Sequence, residues 1–422
     1  MNAFTYHSGV LWAEELPLSE VTADVGTPVY VYSKRQLEAN YAAFAEPFRD
    51  LAPDIFFANK VNPSLAVLQT LAACGAGAEV TSAGELERAI HAGVAPGCIT
   101  FSGVGKRRDE LTAAVLAGLA QITVESLEEM AMLSEVAAEL GRPASIVVRL
   151  NPDVDAQTHA KLSTGHKETK FGIEEAHLDE AVHLARTLPG LVFKGLMVHV
   201  GSLLTDFSPF RVAYQRLADH VRRLQKAGLS VDRVDLGGGV GIPYDGQTMP
   251  PFSDYVDLVQ EIIAPLGCKI AFEPGRRLVG DAGILVTRVV RVKRGATRTF
   301  VVLDAGMNDL MRPALYGARH TLMPVRLPPS TGAEESRATE RVDVVGPVCE
   351  TADLFGEAYE LPSPRPGDLM AFLQAGAYGA GMASCYNGRP LVPEVLVDGS
   401  SYAVTRRRIS VAEQMTWESM AR

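Results

Sequence analysis

Between residues 55 and 124, short apolar runs alternate with longer amphipathic stretches. The runs Ile55–Ala58, Ala78–Val80, Ile99–Phe101 and Ile122–Val124 read as buried strands. They recur about every 22 residues, a spacing that leaves room for one helix between neighbours. Leu65 to Leu71, Leu86 to Ala92, Leu111 to Leu116 and Leu127 to Leu140 fill those gaps with apolar residues at three- and four-residue steps. Ser145–Leu150, Gly195–Val200, Arg233–Leu236 and Lys269–Phe272 extend the series of strands to eight. Repeated strand–helix units imply a parallel sheet, and eight of them imply a closed (β/α)8 TIM barrel. The alternative is an open doubly wound sheet. The first strand is not followed by a GxGxxG turn, which counts against it.

The rhythm changes near residue 280. Val286–Val292, Thr299–Leu303, Arg341–Val345, Asp368–Leu373, Pro393–Val397 and Tyr402–Thr405 read as strands joined by turns, with little helix. Before the barrel, Val10–Trp12 and Val29–Tyr32 are strand-like, and a first helical pattern runs from Arg35 to Phe48. The expected division is an N-terminal segment (1–32) packing with an all-β domain (281–422), and a barrel over 33–280. Two polar stretches read as exposed loops: Ser163 to Ile173 after strand five, and Pro328 to Glu340. Arg406-Arg407-Arg408 reads as a solvated face.

The bulk numbers narrow the function. A net charge of −10 in 422 residues argues against a nucleic-acid or membrane-surface role, though anionic small ligands need only local positive groups. The five cysteines are scattered, with no CxxC pair and no metal-ligand spacing, so a reducing compartment and no metal are expected. No signal-peptide pattern and no bilayer-length apolar run is evident, which points to a cytoplasmic protein.

In such a barrel the chemistry sits at the C-terminal ends of the strands. Strand one ends at Lys60, strand six at His199-Val200-Gly201-Ser202, strand seven at Gly237-Gly238-Gly239, and strand eight at Glu273-Pro274-Gly275-Arg276. A lone lysine at a strand end more often snorkels to water, yet a desolvated one forms a Schiff base with an aldehyde. The glycines are either packing residues or a phosphate cradle, and Gly275-Arg276 beside them favours phosphate. Arg276 suits phosphate or carboxylate bidentately. Glu273 suits a heterocyclic nitrogen, unless it merely pairs with Arg276 or Lys60. A lone histidine such as His199 is more often a satisfied core residue. Together these are the parts that a pyridoxal-phosphate enzyme supplies to its cofactor.

An ordered set of motifs carries a resemblance over nearly the whole chain. They are Asn59-Lys60-Val61-Asn62, Ser163-Thr164-Gly165 through Lys170-Phe171-Gly172-Ile173, His199-Val200-Gly201-Ser202 and Gly237-Gly238-Gly239. Glu273-Pro274-Gly275-Arg276, Met311-Arg312-Pro313-Ala314-Leu315-Tyr316, Gly346-Pro347-Val348-Cys349-Glu350 and Gly376-Ala377-Tyr378-Gly379 complete it. The chain resembles the alanine-racemase-like, fold-type III pyridoxal-phosphate enzymes, and within them the diaminopimelate decarboxylase family. It departs from many relatives in having Thr351-Ala352 after Cys349-Glu350, where Ser-Gly is common.

The resemblance implies a (β/α)8 barrel plus a β domain, and decarboxylation of meso-2,6-diaminopimelate to L-lysine with pyridoxal 5'-phosphate, the final step of lysine biosynthesis. By resemblance, Lys60 bonds the cofactor aldehyde, Glu273 pairs with the ring nitrogen and His199 packs on the ring. Gly237, Gly238, Gly239, Gly275, Arg276 and Ser202 surround the phosphate, with Tyr378 also on the cofactor. Arg276, Arg312, Tyr316, Glu350 and Tyr378 grip the substrate. Cys349 donates a proton, supplied from the second subunit of a homodimer. A bland reading of Cys349 is a small buried hydrophobe. Competing assignments are a sibling decarboxylase of ornithine, arginine or carboxynorspermidine, a racemase on the same barrel, and a catalytically dead homologue.

Overall fold

The computed structural model describes residues 3–154, 169–328 and 338–420. The chain divides into two compact units. One comprises Asn40–Pro243 and Thr248–Leu278, the other Met1–Ala39, Tyr244–Gln247 and Val279–Arg422.

The first unit is a closed parallel barrel. Its strands are β1 (Asp54–Ala58), β2 (Gly77–Val80), β3 (Ile99–Phe101), β4 (Gln121–Val124), β5 (Ala144–Asn151), β6 (Leu191–Val198), β7 (Arg233–Asp235) and β8 (Lys269–Phe272). Each pairs with its neighbour in order; β8 pairs β1, and β4 pairs β5, so no edge is left. Since all pairs are parallel, every strand presents its C-terminal end at the same mouth.

Four helices follow the strands where the periodicity placed them, α1 (Leu65–Ala73), α2 (Ala83–His91), α3 (Arg108–Ala117) and α4 (Leu127–Leu140), and three more follow later strands, α5 (Leu178–Thr187), α6 (Ser208–Lys226) and α7 (Phe252–Ile262). Ser82 and Ser126 cap α2 and α4, accepting from the backbone N–H of Glu85 and Glu129. Each such cap contributes about 1 kcal/mol and fixes where the chain turns from strand to helix. Outside β8, Phe44, Phe48 and Tyr255 pack on Phe272 and Phe252 packs on Tyr255, the closest ring pair being Phe48 and Phe272 at 4.7 Å between centroids.

Inside the barrel, one set of polar side chains is hydrogen-bonded together. Gln121 Nε2 donates to Thr123 Oγ1 at 3.0 Å and to Asp235 Oδ2 at 2.9 Å, while Arg233 donates to Gln121 Oε1 and pairs with Asp54. Buried polar groups persist only when partnered in this way.

The second unit is built on one large sheet. Its strands are β9 (Gly283–Arg294), β10 (Thr299–Leu303), β11 (Thr339–Val345), β12 (Leu354–Pro362), β13 (Leu369–Phe372), β14 (Glu394–Asp398) and β15 (Ser401–Arg406). The N-terminal strand Val29–Ser33 lies between β9 and β14, antiparallel to the first and parallel to the second. A small three-stranded sheet, Phe4–His7, Val10–Ala13 and Leu16–Pro17, shares a core with it through Leu11, Leu18, Val31, Ile284, Val286 and Val395.

Three details differ from the pattern reading, and helix α1 starts one residue after Ser64 and two after Pro63. The β12 strand has no clear alternation, since Gly356 and a left-handed Ala358 (φ +56°) interrupt it. Strand six starts at Leu191, ahead of the expected Gly195, and ends before His199. The arginine triplet is solvated only at Arg407: Arg406 pairs with the buried Glu394 at 2.8 Å, and Arg408 donates to the Pro28 carbonyl at 2.9 Å. The Ser163 to Glu168 part of the loop after β5, His166 included, and positions 329–337 of the Pro328 to Glu340 loop lie outside the described residues.

Candidate active site

Strand β1 ends in a single 3-10 turn, Asn59–Val61, which lifts Lys60 out of the strand and over the barrel mouth. Its amine donates to Glu79 Oε2 on β2 at 2.7 Å. The lysine side chain is 41% exposed and that of Glu79 only 1%. The second oxygen of Glu79 is buried with no hydrogen-bond partner among the described residues. Leaving a buried carboxylate oxygen unbonded is costly, so the pocket fits a further donor arriving there.

Glu273 follows β8 and is buried. Burial pushes its pKa well above the ordinary carboxylate range; the neighbouring Asp235 and Glu79 push it further, while Lys60 and Arg149 pull it back. Ser102, after β3, donates to its Oε1 at 3.4 Å. Arg149 on β5 pairs with Glu125 at 3.0 Å, and Glu125 also accepts from the backbone of Gly103 and Gly172. This one buried carboxylate therefore ties the loops after β3 and β5 together.

His199 is half-buried, and its pKa lies far below the usual value because of burial, then Arg149 and Lys60. Its Nδ1 accepts from Gly238 N–H at 3.2 Å, so the ring proton sits on Nε2. The glycine loop is tightly packed against this histidine and strand eight. A Cβ on Gly238 would lie 2.2 Å from the Glu273 carbonyl oxygen, and one on Gly239 (φ +111°) 2.4 Å from that of Gly201. Glycine is required at both. Gly237 N–H is spent on Asp235 Oδ1 at 2.9 Å, which leaves Gly239 N–H as the loop's donor without a partner among the described residues. Arg276, buried at the start of the short helix Arg276–Val279, donates to Ser202 Oγ at 3.2 Å. Gly275 packs on Val61 and Ala58, where a side chain would collide at 2.3 Å.

The sheet unit carries the other candidates. Arg312 and Tyr316 open and close one short helix, Arg312–Tyr316. Arg312 is 2% exposed. Cys349 and Glu350 are exposed on a loop whose shape is set by Asp353, which accepts from Met307 N and Val348 N at 2.6 Å each. Cys349 N–H donates to Asn387 Oδ1 at 3.0 Å, and Tyr386 donates to Glu350 Oε1 at 2.5 Å, a bond that raises the pKa of the phenol. Tyr378 is half-buried with a left-handed backbone (φ +54°).

Lys60, His199, Glu273 and the glycine loop thus share the barrel mouth, and Arg276 joins Ser202 there. Sequence reasoning missed Glu79, Ser102, Arg149, His320, Tyr386 and Asn387. Glu79 had a signal, an acid inside the otherwise apolar run Gly77–Val80. Tyr386 and Asn387 had none, since only the fold brings residues 349 and 387 together.

Residues 34–280 match the pyridoxal binding domain of the pyridoxal-dependent decarboxylases. The barrel, its lysine-bearing turn and this match define the class: a pyridoxal-dependent amino-acid decarboxylase. The chain is 43% identical over 420 residues to diaminopimelate decarboxylase of Zymomonas mobilis, covering 98% of each chain. Diaminopimelate decarboxylase of Helicobacter pylori complexed with L-lysine superposes with a TM-score of 0.89 at 35% identity, over 95% of this chain and 98% of that one. That of M. jannaschii in co-complex with L-lysine gives 0.93 at 32% identity, over 100% and 98%. The chain belongs to the diaminopimelate decarboxylase family. No helix among the described residues is long and apolar enough to cross a membrane.

The donor set fits pyridoxal phosphate. A cationic ring nitrogen would add counter-charge beside the buried Glu273, and a phosphate would find Arg276, Ser202 and a glycine backbone to hold it.

Proposed function

We propose that this protein decarboxylates meso-2,6-diaminopimelate to L-lysine and carbon dioxide with pyridoxal 5'-phosphate, in the cytoplasm, as the final step of lysine biosynthesis. One observation carries the reading: an amine held 2.7 Å from a buried acid, in the same barrel mouth as a second buried acid and a neutral imidazole. The bound cofactor supplies an electron sink for the pair left when the carboxylate departs.

The protein's own groups do the rest. Lys60 would anchor the cofactor aldehyde, and Glu79, 2.7 Å from its amine, would hold that amine in position. Glu273 keeps the ring nitrogen cationic. His199, neutral and donating only through Nε2, packs against the ring without adding charge. Arg276, Ser202, Gly275 and the Gly237–Gly239 loop hold the phosphate, with Tyr378 beside the cofactor. At the unreacting end of the substrate, Arg312, Arg276, Tyr316 and Tyr378 take the carboxylate and Glu350 takes the ammonium. Pairing both charges favours a substrate that carries both, most strongly at the buried Arg312, which would otherwise be left unmatched.

Cys349 gives its thiol proton to the reacting carbon. In a homodimer, Cys349 and Glu350 serve the partner's site, and Tyr386 and Asn387 fix the loop that carries them. Cys349→Ala is expected to retain cofactor but slow turnover by about 10²–10⁴-fold, the usual worth of a positioned proton donor. Mixing it with inactive Lys60→Ala subunits should recover activity. Turnover of Cys349→Ala at the wild-type rate would remove its role, and failure of the mixture to recover would remove the shared site.

The test of the substrate is carbon dioxide release by the cofactor-loaded protein from meso-diaminopimelate, L-lysine, L-ornithine and L-arginine in parallel. Release from diaminopimelate alone is expected. Release from ornithine or arginine instead would overturn the substrate and keep the barrel chemistry.

A further inference from the structure

We infer that His320 is a positioning and specificity-determining residue: a neutral acceptor that orients Arg312 for the substrate carboxylate without neutralising it. The inference rests on the proposed role of Arg312.

His320 is fully buried, four residues beyond the helix Arg312–Tyr316. Its Nδ1 lies 2.8 Å from the Leu373 carbonyl oxygen and its Nε2 2.7 Å from Arg312 Nη1. A carbonyl has no proton to give, so Nδ1 carries one. A guanidinium accepts no hydrogen bond, so Nε2 must offer a bare lone pair. Only the neutral Nδ1–H tautomer satisfies both contacts. Its far end is anchored, because Leu373 is itself held through Leu373 N–H to the Thr321 carbonyl at 2.9 Å.

The guanidinium face is fixed independently. Arg312 lies over the Tyr244 ring at 4.3 Å from its centroid, and that ring meets His320 edge-on at 5.3 Å. An imidazole lone pair thus fixes an edge of Arg312 and a phenol ring fixes a face. Both restrain it, and neither brings a negative charge. An acid at position 320 would hold Arg312 equally well, but it would compete with an anionic ligand for the same charge. An uncharged acceptor brings no such competition, and a preset fork favours the two-oxygen geometry of a carboxylate. Position 320 thereby helps to distinguish a substrate with an amino-acid end from one ending in a bare amine.

Two ligands separate these ends. L-Lysine keeps the carboxylate at the end the reaction leaves untouched, whereas cadaverine lacks it. In the cofactor-loaded enzyme, His320→Gln keeps a neutral donor and acceptor, His320→Glu keeps that shape with a charge, and His320→Phe keeps the ring without either bond. The inhibition constant of L-lysine is expected to stay within about 3-fold for the Gln variant and to rise at least about 10-fold for the Glu and Phe variants, a change of ~1.4 kcal/mol. KM for diaminopimelate should follow the lysine values, with kcat moving less. Cadaverine should bind all of them alike.

Equal behaviour of the Gln and Glu variants, or equal losses for lysine and cadaverine, would overturn the inference. Should the charged variant not fold, the Gln and Phe pair carries the same test. Arg312→Gln distinguishes the two layers. If it leaves lysine binding intact, the role of Arg312 falls. If it weakens lysine while the His320 series does not separate, only the inference about His320 falls.

Discussion

Lys60→Ala is expected to remove the visible absorbance of lysine-bound pyridoxal phosphate and to lower carbon dioxide release from diaminopimelate by at least about 10³-fold, as loss of a covalent catalytic group does. The expectation follows from where the amine sits. It is close enough to a buried carboxylate to be held in one place, and exposed enough, at 41%, for a substrate amine to replace it. Lys60→Ala also leaves Glu79 with both oxygens unbonded in a buried position. The protein should therefore be less stable than wild type without cofactor, and Lys60→Ala with Glu79→Gln should recover part of that loss, because an isosteric amide has no charge to strand. Absorbance spectra and thermal melts of the two variants measure both effects. A Lys60→Ala protein that keeps the band and the turnover would take the lysine out of the chemistry.

The barrel was legible because its strands are buried on both faces. Such strands read as short continuous apolar runs, and the intervening helices carry a different period. Lys60, His199 and Glu273 were legible for a related reason: a fold that puts chemistry at strand ends turns position along the chain into position in space. What could not be read were partnerships fixed by neighbouring strands or long returns of the chain. Glu79 meets Lys60 only because β1 lies beside β2 with Ala58 opposite Glu79. Arg406 finds Glu394 across one hairpin, but Arg408 finds Pro28 some 380 positions away, and neither pairing leaves a local trace. The glycine triplet was read as packing residues or a phosphate cradle. Two of its N–H groups instead hold Asp235 and His199 in place, a role that depends on side chains converging from β6 and β7. Strand β12 was hidden because its alternation breaks at Gly356 and Ala358, where the pairing with β11 shifts register.

Glu273→Gln should produce opposite effects on activity and on the stability of the cofactor-free protein. The wild-type carboxyl has a folded pKa well above that of an unfolded glutamate, about 4.3. The folded state therefore holds this proton more tightly than the unfolded state does. Its contribution to stability is complete below about pH 4.3 and is lost as the pH rises through the raised folded value. At pH 8 the cofactor-free wild type has lost stability that it holds at low pH through this carboxyl, whereas glutamine has no such pH-dependent loss. The variant without cofactor should melt about 2–4 °C above the wild type at pH 8, with the gap closing toward pH 5. With cofactor, the order should reverse. The amide offers no charge to a cationic ring nitrogen, so turnover should fall by about 10²–10³-fold, as when one electrostatic stabiliser is removed from a buried site. The visible band should remain, since Lys60 is untouched. If the cofactor-free variant were no more stable at pH 8 than at pH 5 relative to wild type, the strained-acid account of Glu273 would fail. If turnover survived the change, the pairing with the ring nitrogen would fail. A buried acid that is costly in the empty barrel, and is matched only when a cation arrives, makes the empty barrel less stable than the loaded one. Cofactor affinity and the pH dependence of cofactor-free stability should therefore change together across substitutions at Glu273, Asp235 and Glu79.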